Sequence, residues 1–260
     1  MKITFFKYQG AGNDFVIIDN RSKKIELTAT QIHHLCDRKF GIGADGLMLL
    51  QTAEGYDFEM KYYNADGNEG SMCGNGGRCL VKFAYDCDIK LATYHFLASD
   101  GKHKAEMMEE KKWVNLKMKN VREITRANDD FILDTGSPHF VNPCEDVMNL
   151  DVVNEGKKIR YSKPFKEKGI NVNFVQQKEE DTIIVRTYER GVEDETLSCG
   201  TGVTASALIF AHNQNGFNHI DVITKGGNLA VEFNKIDDQT FENIWLSGPA
   251  EFVFKGEITL

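Results

Sequence analysis

The chain has 260 residues, 41% hydrophobic and 27% charged, which is typical of globular proteins with one large domain or two of half that size. Its formal net charge of −8 argues against a nucleic-acid partner, because binding to phosphates requires a basic surface. No apolar run approaches the ~20 residues of a membrane-spanning helix, and the first residues show no signal-peptide pattern. We therefore expect a cytoplasmic protein with no membrane partner.

The first half of the chain is predicted to combine strands with two helices. Thr28 is expected to cap a helix that runs to about Arg38, with Ile32 and Leu35 on its buried face. A second helix is predicted at 74–86, and because it is apolar on most sides it should lie inside its domain. Strands are predicted at 3–8, 15–19, 47–50, 58–63, 91–97, 102–108 and 113–118.

The glycines between Gly41 and Gly46 satisfy the G-x-G-x-x-G pattern of dinucleotide-binding proteins. That motif requires a strand before it and a helix after it. Here a predicted helix precedes the glycines and a predicted strand follows them. We therefore reject a dinucleotide site and expect a close turn at the edge of a pocket.

The second half is predicted to alternate in the same way. The polar segment 121–128 is expected to cross between the halves, a short helix to lie within 147–159, and an apolar helix to span 200–212. Strands are predicted at 131–134, 170–176, 182–188, 219–224, 229–233, 240–246 and 251–260. We expect two domains, one formed by residues 1–120 plus 250–260 and the other by residues 121–249.

Two stretches of the chain share one pattern: a strand, a polar loop, a cysteine, glycines and an apolar helix. Cys73 precedes Gly74-Asn75-Gly76-Gly77, and Cys199 precedes Gly200-Thr201-Gly202. A glycine turn lies at nearly the same distance before each cysteine, and the pattern makes Phe140 the counterpart of Phe15. A two-copy repeat of this length predicts a pseudo-symmetric pair of domains, since solenoid repeats are much shorter.

The six cysteines include no C-x-x-C pair, so neither a structural zinc site nor any other metal site is expected. Disulfides are not expected in a reducing compartment. Cys73 and Cys199 differ from the other four because each precedes a predicted helix. The free N–H groups and partial positive charge of a helix start stabilise a thiolate and lower its pKa from ~8.5.

Two such cysteines suit the inversion of a carbon that bears hydrogen. One base must remove the proton from one face while a conjugate acid delivers a proton to the other face. A carboxylate held between two helix starts would place its α-carbon between the two sulfurs, and the N–H donors would meet the negative charge that develops. No cofactor is then required.

Taken together, these motifs resemble the diaminopimelate epimerases over essentially the whole chain. The resemblance implies a mixed α/β fold (α+β) of two pseudo-symmetric domains, each a curved, mostly antiparallel sheet or barrel around a central buried helix. It also implies a cofactor-independent isomerase that interconverts LL- and meso-diaminopimelate in lysine and peptidoglycan precursor biosynthesis, and a homodimer. The motifs are GAGNDF (Gly10 to Phe15), GIGAD (Gly41 to Asp45), YNADGNE (Tyr63 to Glu69), CGNGGRC (Cys73 to Cys79), SPH (Ser137 to His139), YERG (Tyr188 to Gly191) and CGTG (Cys199 to Gly202).

The resemblance also implies roles for individual residues. Cys73 and Cys199 are similar to the acid/base pair, and Gly74, Asn75, Gly200 and Thr201 to the helix starts that hold the carboxylate. His139 and Glu189 are similar to groups beside the reacting amino group. Asn13, Asn64, Asn171 and Arg190 are similar to residues that bind the rest of the substrate, with the Arg190 guanidinium suited to a distal carboxylate.

The chain departs from the family pattern at three places. Gly46 stands where the family often has glutamine, and Ser137 where it often has asparagine. The loop from Gly191 to Thr196 is one residue longer. The first two departures remove side-chain amides from the substrate-binding set, so other groups must replace their hydrogen bonds.

Two other interpretations remain open from the residues. A proline-racemase-like enzyme would also use paired cysteines, although Arg190 and the asparagines favour a substrate with a second polar head. A redox-sensing or metal-binding module would use Cys73 and Cys199 for a disulfide or as ligands. A cysteine before a glycine-rich helix start can also be plain packing.

Overall fold

The computed structural model describes residues 1–70 and 72–260, and the described chain contains 17 strands and four helices. No helix in this described part is long and apolar enough to cross a membrane. The elements in chain order are β1 (Lys2–Gly10), β2 (Asn13–Asp19), α1 (Ala29–Cys36), β3 (Gly46–Gln51), β4 (Phe58–Asn64), α2 (Gly74–Asp86), β5 (Thr93–Ala98), β6 (Gly101–Met108), β7 (Trp113–Lys117), β8 (Ile124–Ala127), β9 (Asp130–Asp134), β10 (Pro138–Pro143), α3 (Val152–Arg160), β11 (Asn171–Glu179), β12 (Thr182–Glu189), β13 (Asp194–Thr196), α4 (Gly200–Ile209), β14 (Gly216–Thr224), β15 (Gly227–Lys235), β16 (Phe241–Pro249) and β17 (Glu251–Thr259).

The chain divides into two compact units. The first comprises Met1–Leu116 together with Gly248–Leu260, and the second comprises Lys117–Ser247. In the first unit, β1 pairs antiparallel with both β2 and β17. The strands β2 and β3 are parallel, and so are β4 and β5, whereas β3–β4, β5–β6 and β6–β7 are antiparallel. The final strand therefore belongs to the unit in which the chain began.

The second unit repeats this order of pairings. Strand β9 pairs antiparallel with β8 and β10, β10 is parallel to β11, and β12 is parallel to β14. The pairs β11–β12, β12–β13, β14–β15 and β15–β16 are antiparallel. Parallel neighbours need a long crossover, and each unit uses a helix for both of its crossovers. The predicted fold class, two similar mixed α/β halves with central helices, is confirmed.

Each unit encloses one helix and carries a second helix on the other face of its strands. In β2, Val16 and Ile18 pack toward α1, because alternate side chains of a strand point to opposite faces. Phe15, on the other face, lies beside α2, where Leu80 and Phe83 are fully buried. Helix α2 contacts β1, β2, β3, β6 and β17, and helix α4 contacts strands β9 to β12, β14 and β15. The prediction that both cysteine helices lie inside their domains is correct.

Three details of the prediction are wrong. The segment 121–128 is not a plain crossing, since it contains β8, and Asn128 adopts a left-handed φ of 61° in the β8–β9 hairpin. The apolar helix predicted at 200–212 ends at Ile209. The counterpart of Phe15 is His139 rather than Phe140. Phe15 pairs with the first residue of β3, and His139 pairs with the first residue of β11.

Candidate active site

Cys73 is the N-cap residue of α2. Its backbone is extended, with φ −96° and ψ 127°, and its carbonyl accepts the first helical hydrogen bond from the Gly77 N–H at 2.7 Å. The thiol is half-buried and does not cap the helix itself. A Cβ placed on Gly76 would lie 3.3 Å from the Met48 Sδ and 3.4 Å from the Cys73 Cβ, so glycine allows close packing here. The helix start therefore presents both a thiol and backbone donors.

Asn13 and Asn75 are joined by a hydrogen bond. The Asn75 Nδ2 donates to the Asn13 Oδ1 at 2.5 Å, and the Asn13 Nδ2 donates to Asp45 at 3.0 Å. Arg38 bridges Asp45 to Asp14, which also pairs with Lys7. Burial alone would raise the pKa of Asp14, but the hydrogen bonds from Arg38 and Lys7 lower it to about 2. A charged network thus fixes the carboxamide of Asn13 relative to the helix start.

Asn64 ends β4 and is paired in register with Gly46. A Cβ on Gly46 would lie 2.6 Å from the Tyr62 ring and 2.7 Å from the Tyr63 carbonyl oxygen. A Cβ on Gly70 would also meet the Tyr62 ring, at 2.7 Å. The phenol ring therefore occupies the space beside both glycines, which explains physically why position 46 carries no side chain. Sequence reasoning gave Tyr62 no role.

Cys199 is the N-cap residue of α4. Its backbone is extended, with φ −117° and ψ 109°, and its carbonyl accepts a hydrogen bond from the Val203 N–H at 2.8 Å. Its Sγ lies 3.5 Å from the Thr201 hydroxyl oxygen, and the Thr201 carbonyl accepts a hydrogen bond from Thr135 at 2.8 Å. Gly200 is buried beneath the cysteine. The second helix start repeats the first, with small hydroxyl side chains around the thiol.

Asn171, Ser137 and Arg190 form a hydrogen-bonded group in the second unit. The Asn171 Nδ2 donates to the Ser137 hydroxyl at 2.9 Å, and the Asn171 Oδ1 accepts from the Arg190 N–H at 2.9 Å. The Arg190 guanidinium donates to the same hydroxyl at 3.3 Å and to the Lys168 carbonyl at 3.1 Å. Ser137 thus bonds to two of the predicted substrate-binding residues, although it lacks an amide. Glu189 is half-buried beside this group at the end of β12.

His139 is fully buried beneath α4, and burial lowers its pKa to about 3. Its Nδ1 accepts a hydrogen bond from the Asn173 Nδ2 at 3.1 Å, which places the ring proton on Nε2. Among the described residues, Nε2 has no hydrogen-bond partner. The Asn173 carboxamide is fixed by two further hydrogen bonds. Its Nδ2 donates to the Phe140 carbonyl at 3.1 Å, and its Oδ1 accepts from the Thr187 hydroxyl at 3.0 Å. Sequence reasoning missed Asn173, because only the parallel register of β10 and β11 brings it beside His139.

The predicted site residues thus form local groups within each unit. In the first unit, Cys73, Gly74, Asn75 and Asn13 come together at the start of α2, and Asn64 lies beside Tyr62. In the second unit, Cys199, Gly200, Thr201 and His139 come together at the start of α4, and Asn171 and Arg190 bond to each other. The described residues contain no group of three or more His, Cys, Asp or Glu side chains that could hold a metal ion.

Comparison with solved structures defines the class of this fold. A phenazine biosynthesis protein of the PhzF family from Bacillus anthracis superposes with a TM-score of 0.75 over the full length of both chains, at 15% identity. A hydroxyproline epimerase from Agrobacterium vitis, solved with trans-4-hydroxy-L-proline, gives 0.68 over 99% of this chain and 91% of its own, at 11% identity. The fold is that shared by PhzF proteins, proline racemases and related epimerases.

Sequence comparison is more specific. The family model for diaminopimelate epimerase matches residues 5–124 and 131–253. The diaminopimelate epimerase of Flavobacterium psychrophilum is 50% identical over 97% of this chain and 99% of its own length. The enzyme of Chlorobaculum tepidum is 45% identical over 96% and 99%. The chain belongs to the diaminopimelate epimerase family.

Proposed function

We propose that this chain is a cofactor-independent isomerase that interconverts LL- and meso-diaminopimelate. Membership of the family over nearly the whole chain carries this proposal. The two cysteines at helix starts, one in each unit, support it because each combines a thiol with backbone N–H donors. Among the open interpretations, family membership favours the epimerase over both the proline-racemase-like enzyme and the redox or metal-binding module.

The proposed reaction uses Cys73 and Cys199 as a base and an acid on opposite faces of the α-carbon. One thiolate removes the α-proton, and the electron pair moves into the carboxylate, which N–H groups at Gly74, Asn75, Gly200 and Thr201 stabilise. The other thiol then protonates the opposite face. At the end of one turnover the two sulfurs have exchanged their protonation states, so the reverse reaction uses the same groups.

The remaining predicted residues orient the substrate in this proposal. Glu189 accepts hydrogen bonds from the reacting ammonium, and His139 stays neutral, so it adds no second cation that would repel the ammonium. Asn13, Asn64 and Asn171 bind the polar groups of the substrate that lie further from its reacting carbon. The Arg190 guanidinium binds the distal carboxylate at two points, because its planar fork matches a carboxylate. Hydrogen bonds that Arg190 donates to Ser137 and Asn171 hold it in place.

The test is an epimerisation assay in deuterated water with LL-diaminopimelate and, in parallel, with L-proline. We expect meso product that carries one solvent deuterium at the inverted carbon, and no exchange on proline. Exchange on proline alone would overturn the substrate assignment. An activity lost after treatment with a metal chelator would overturn the proposal that no cofactor takes part.

We propose that the chain functions as a homodimer through β17. Phe252, Val253 and Phe254 are consecutive apolar residues of this strand, and they are 49%, 51% and 43% exposed. Such an exposed apolar run indicates an interaction surface. Sedimentation of the wild type should give a dimer, and Phe254→Glu should give monomers without loss of helix content. A wild-type monomer would refute the proposal.

We place the reaction in the cytoplasm, in the synthesis of lysine and of peptidoglycan precursors. Family membership supports both assignments. Deletion of the gene should produce a requirement for meso-diaminopimelate, and cell fractionation should recover the protein with cytoplasmic enzymes.

A further inference from the structure

Arg78 is a buried cation one turn into α2, and the proposed reaction gives it no role. The side chain is 0% exposed. Its Nη2 donates to the Asn75 Oδ1 at 2.7 Å and its Nη1 to the Gly74 carbonyl at 3.4 Å, so the guanidinium points back to the helix start. Its Nε has no hydrogen-bond partner among the described residues. Burying a charge without a counter-charge is costly, so a compensating anion is expected nearby.

Most other charged groups around α2 already have partners. The strands that pack most extensively on α2 are β1, β2, β3, β6 and β17. Within the described part of this unit, no carboxylate lies within 4.0 Å of the Arg78 guanidinium, whereas most charged side chains on these strands and on α2 have partners. Lys7 pairs with Asp14, Arg38 with Asp14 and Asp45, Lys82 with Asp86, Lys104 with Glu106 and His103 with Asp100, and Glu251 accepts a hydrogen bond from Gln9.

Two thiols are close enough to interact electrostatically with the guanidinium, those of Cys79 and Cys73. Cys79 is fully buried, and burial raises its pKa, so it stays a thiol. Cys73 is half-buried and lies at the helix N-terminus, where a thiolate is favoured. Burial lowers the pKa of Arg78 to about 10, so the guanidinium remains charged at neutral pH. Cys73 is therefore the group that can supply the compensating negative charge.

The second unit has a neutral residue at the corresponding place. Thr204 follows Cys199 at the same interval at which Arg78 follows Cys73. Its hydroxyl donates to the Gly200 carbonyl at 3.0 Å, and Gly200 corresponds to Gly74. Helix α4 contains no charged residue. The two cysteines therefore share the helix-start setting but differ in one buried charge.

We propose that Arg78 is a positioning residue that keeps Cys73 as the resting thiolate, which leaves Cys199 as the resting thiol. This inference rests on the proposed two-base reaction. It assigns each sulfur a starting role: Cys73 removes the proton from the stereoisomer whose α-hydrogen faces it, and Cys199 delivers one to the opposite face. Arg78 does not touch the reacting carbon and acts through the charge of Cys73 and the carboxamide of Asn75.

The test measures the alkylation rate of each cysteine by iodoacetamide from pH 5 to pH 10, with mass spectrometry of the peptides. We expect Cys73 to reach half its maximal rate about one pH unit or more below Cys199. Arg78→Met should move the Cys73 profile to higher pH by about one unit, whereas Arg78→Lys should keep most of the difference. Thr204→Val is the matched control in α4 and should leave the Cys73 profile unchanged.

Three results would overturn the inference: Cys199 reacting at the lower pH, coincident profiles for the two cysteines, or an unchanged Cys73 profile in a folded Arg78→Met variant. If Arg78→Met does not fold, the wild-type order and the Arg78→Lys profile decide. No substrate is needed in this experiment. An enzyme inactive on diaminopimelate would refute the proposed function while leaving the assignment of the thiolate intact.

Discussion

The two cysteine helices have the same backbone arrangement but different surroundings. In the first unit, Asn75 connects the helix start to Arg78 and, through Asn13, to Asp45. In the second unit, the start of α4 is surrounded by the hydroxyls of Thr201 and Thr204 and by the uncharged imidazole of His139. Pseudo-symmetry of the strands therefore does not require symmetric electrostatics. Two copies of a duplicated half can keep the same backbone geometry while the charges around their cysteines differ.

The comparison is tested most strongly by the cysteines themselves. Cys73→Ser and Cys199→Ser should each lower the epimerisation rate by about 10³-fold or more, because a hydroxyl is too weakly acidic to replace the thiol as acid or base. The rate is measured with LL-diaminopimelate. Cys87→Ser and Cys144→Ser, one in each unit, are the matched controls and should keep near wild-type rates. A large loss at only one of the two helix starts would contradict a reaction shared between them.

Substitution of the glycine three residues after each cysteine should give the next largest difference between the two units, in unfolding free energy. In Gly202→Ala the new Cβ would lie 2.2 Å from the Asn173 Oδ1, whose carboxamide is fixed by three hydrogen bonds. In Gly76→Ala the nearest atom is the flexible Met48 Sδ at 3.3 Å. We expect Gly202→Ala to lower the unfolding free energy by about 3 kcal/mol and Gly76→Ala to change it by less than about 1 kcal/mol. Urea unfolding measures both, and equal losses would show that the two helix starts are packed alike.

His139 and its counterpart Phe15 should differ in their response to acid. The pKa of His139 is lowered to about 3 in the folded chain, whereas an unfolded histidine titrates near 6.5. Its contribution to stability is therefore complete above pH 6.5 and is lost as pH falls toward 3. At pH 5 the expected loss is ~2 kcal/mol. In His139→Phe, which copies the residue of the first unit, the decrease in unfolding free energy from pH 7 to pH 5 should be smaller by that amount.

The exposed His34 provides the control for this experiment, since His34→Gln should leave the decrease between pH 7 and pH 5 unchanged. A His139→Phe variant that retains the wild-type pH dependence would show that the buried imidazole is not the group responsible.

The outer helices α1 and α3 give the smallest contrast. Thr28 caps α1 in a reciprocal capping box with Gln31, whereas Asp151 caps α3 by accepting hydrogen bonds from both the backbone N–H and the side-chain Nδ2 of Asn154. Thr28→Ala should cost about 1 kcal/mol of unfolding free energy, and Asp151→Ala should cost somewhat more because its carboxylate also interacts favourably with the helix dipole. Thermal unfolding of the two variants measures the difference. A greater loss at Thr28 would reverse the expected order.

Local patterns were enough to predict most of the fold. The cysteine–glycine sequence and the apolar runs that follow predicted α2 and α4, and both helices lie in the interiors of their units. Strand β10 was not predicted because it begins at Pro138 and ends at Pro143, which resemble loop residues. Strand β8 was overlooked because its side chains are polar or half-exposed, and only its pairing with β9 makes it a strand.

The surroundings of the predicted site residues could not be read in the same way. The link from Asn13 to Asn75 joins residues 62 positions apart, and the contact between Asn173 and His139 depends on strand register. Arg78 lay within the motif CGNGGRC, but the sequence does not show that its charge is buried without a carboxylate. Only the packed structure shows that the Tyr62 ring fills the space beside Gly46 and Gly70. Motifs identify side chains, whereas their electrostatic environment depends on the packed structure.

The return of β17 to pair with β1 has a consequence for synthesis on the ribosome. Chains emerge from the N-terminus, and domains generally fold as they emerge. Residues 117–247 form one continuous unit, so it is complete before the last strand is made. The unit that begins first must wait for Glu251–Thr259, which pairs along β1 from Lys2 to Gln9. The inserted unit is thus synthesised in full before its host unit, and nascent β1 stays without this partner until Glu251–Thr259 has been made.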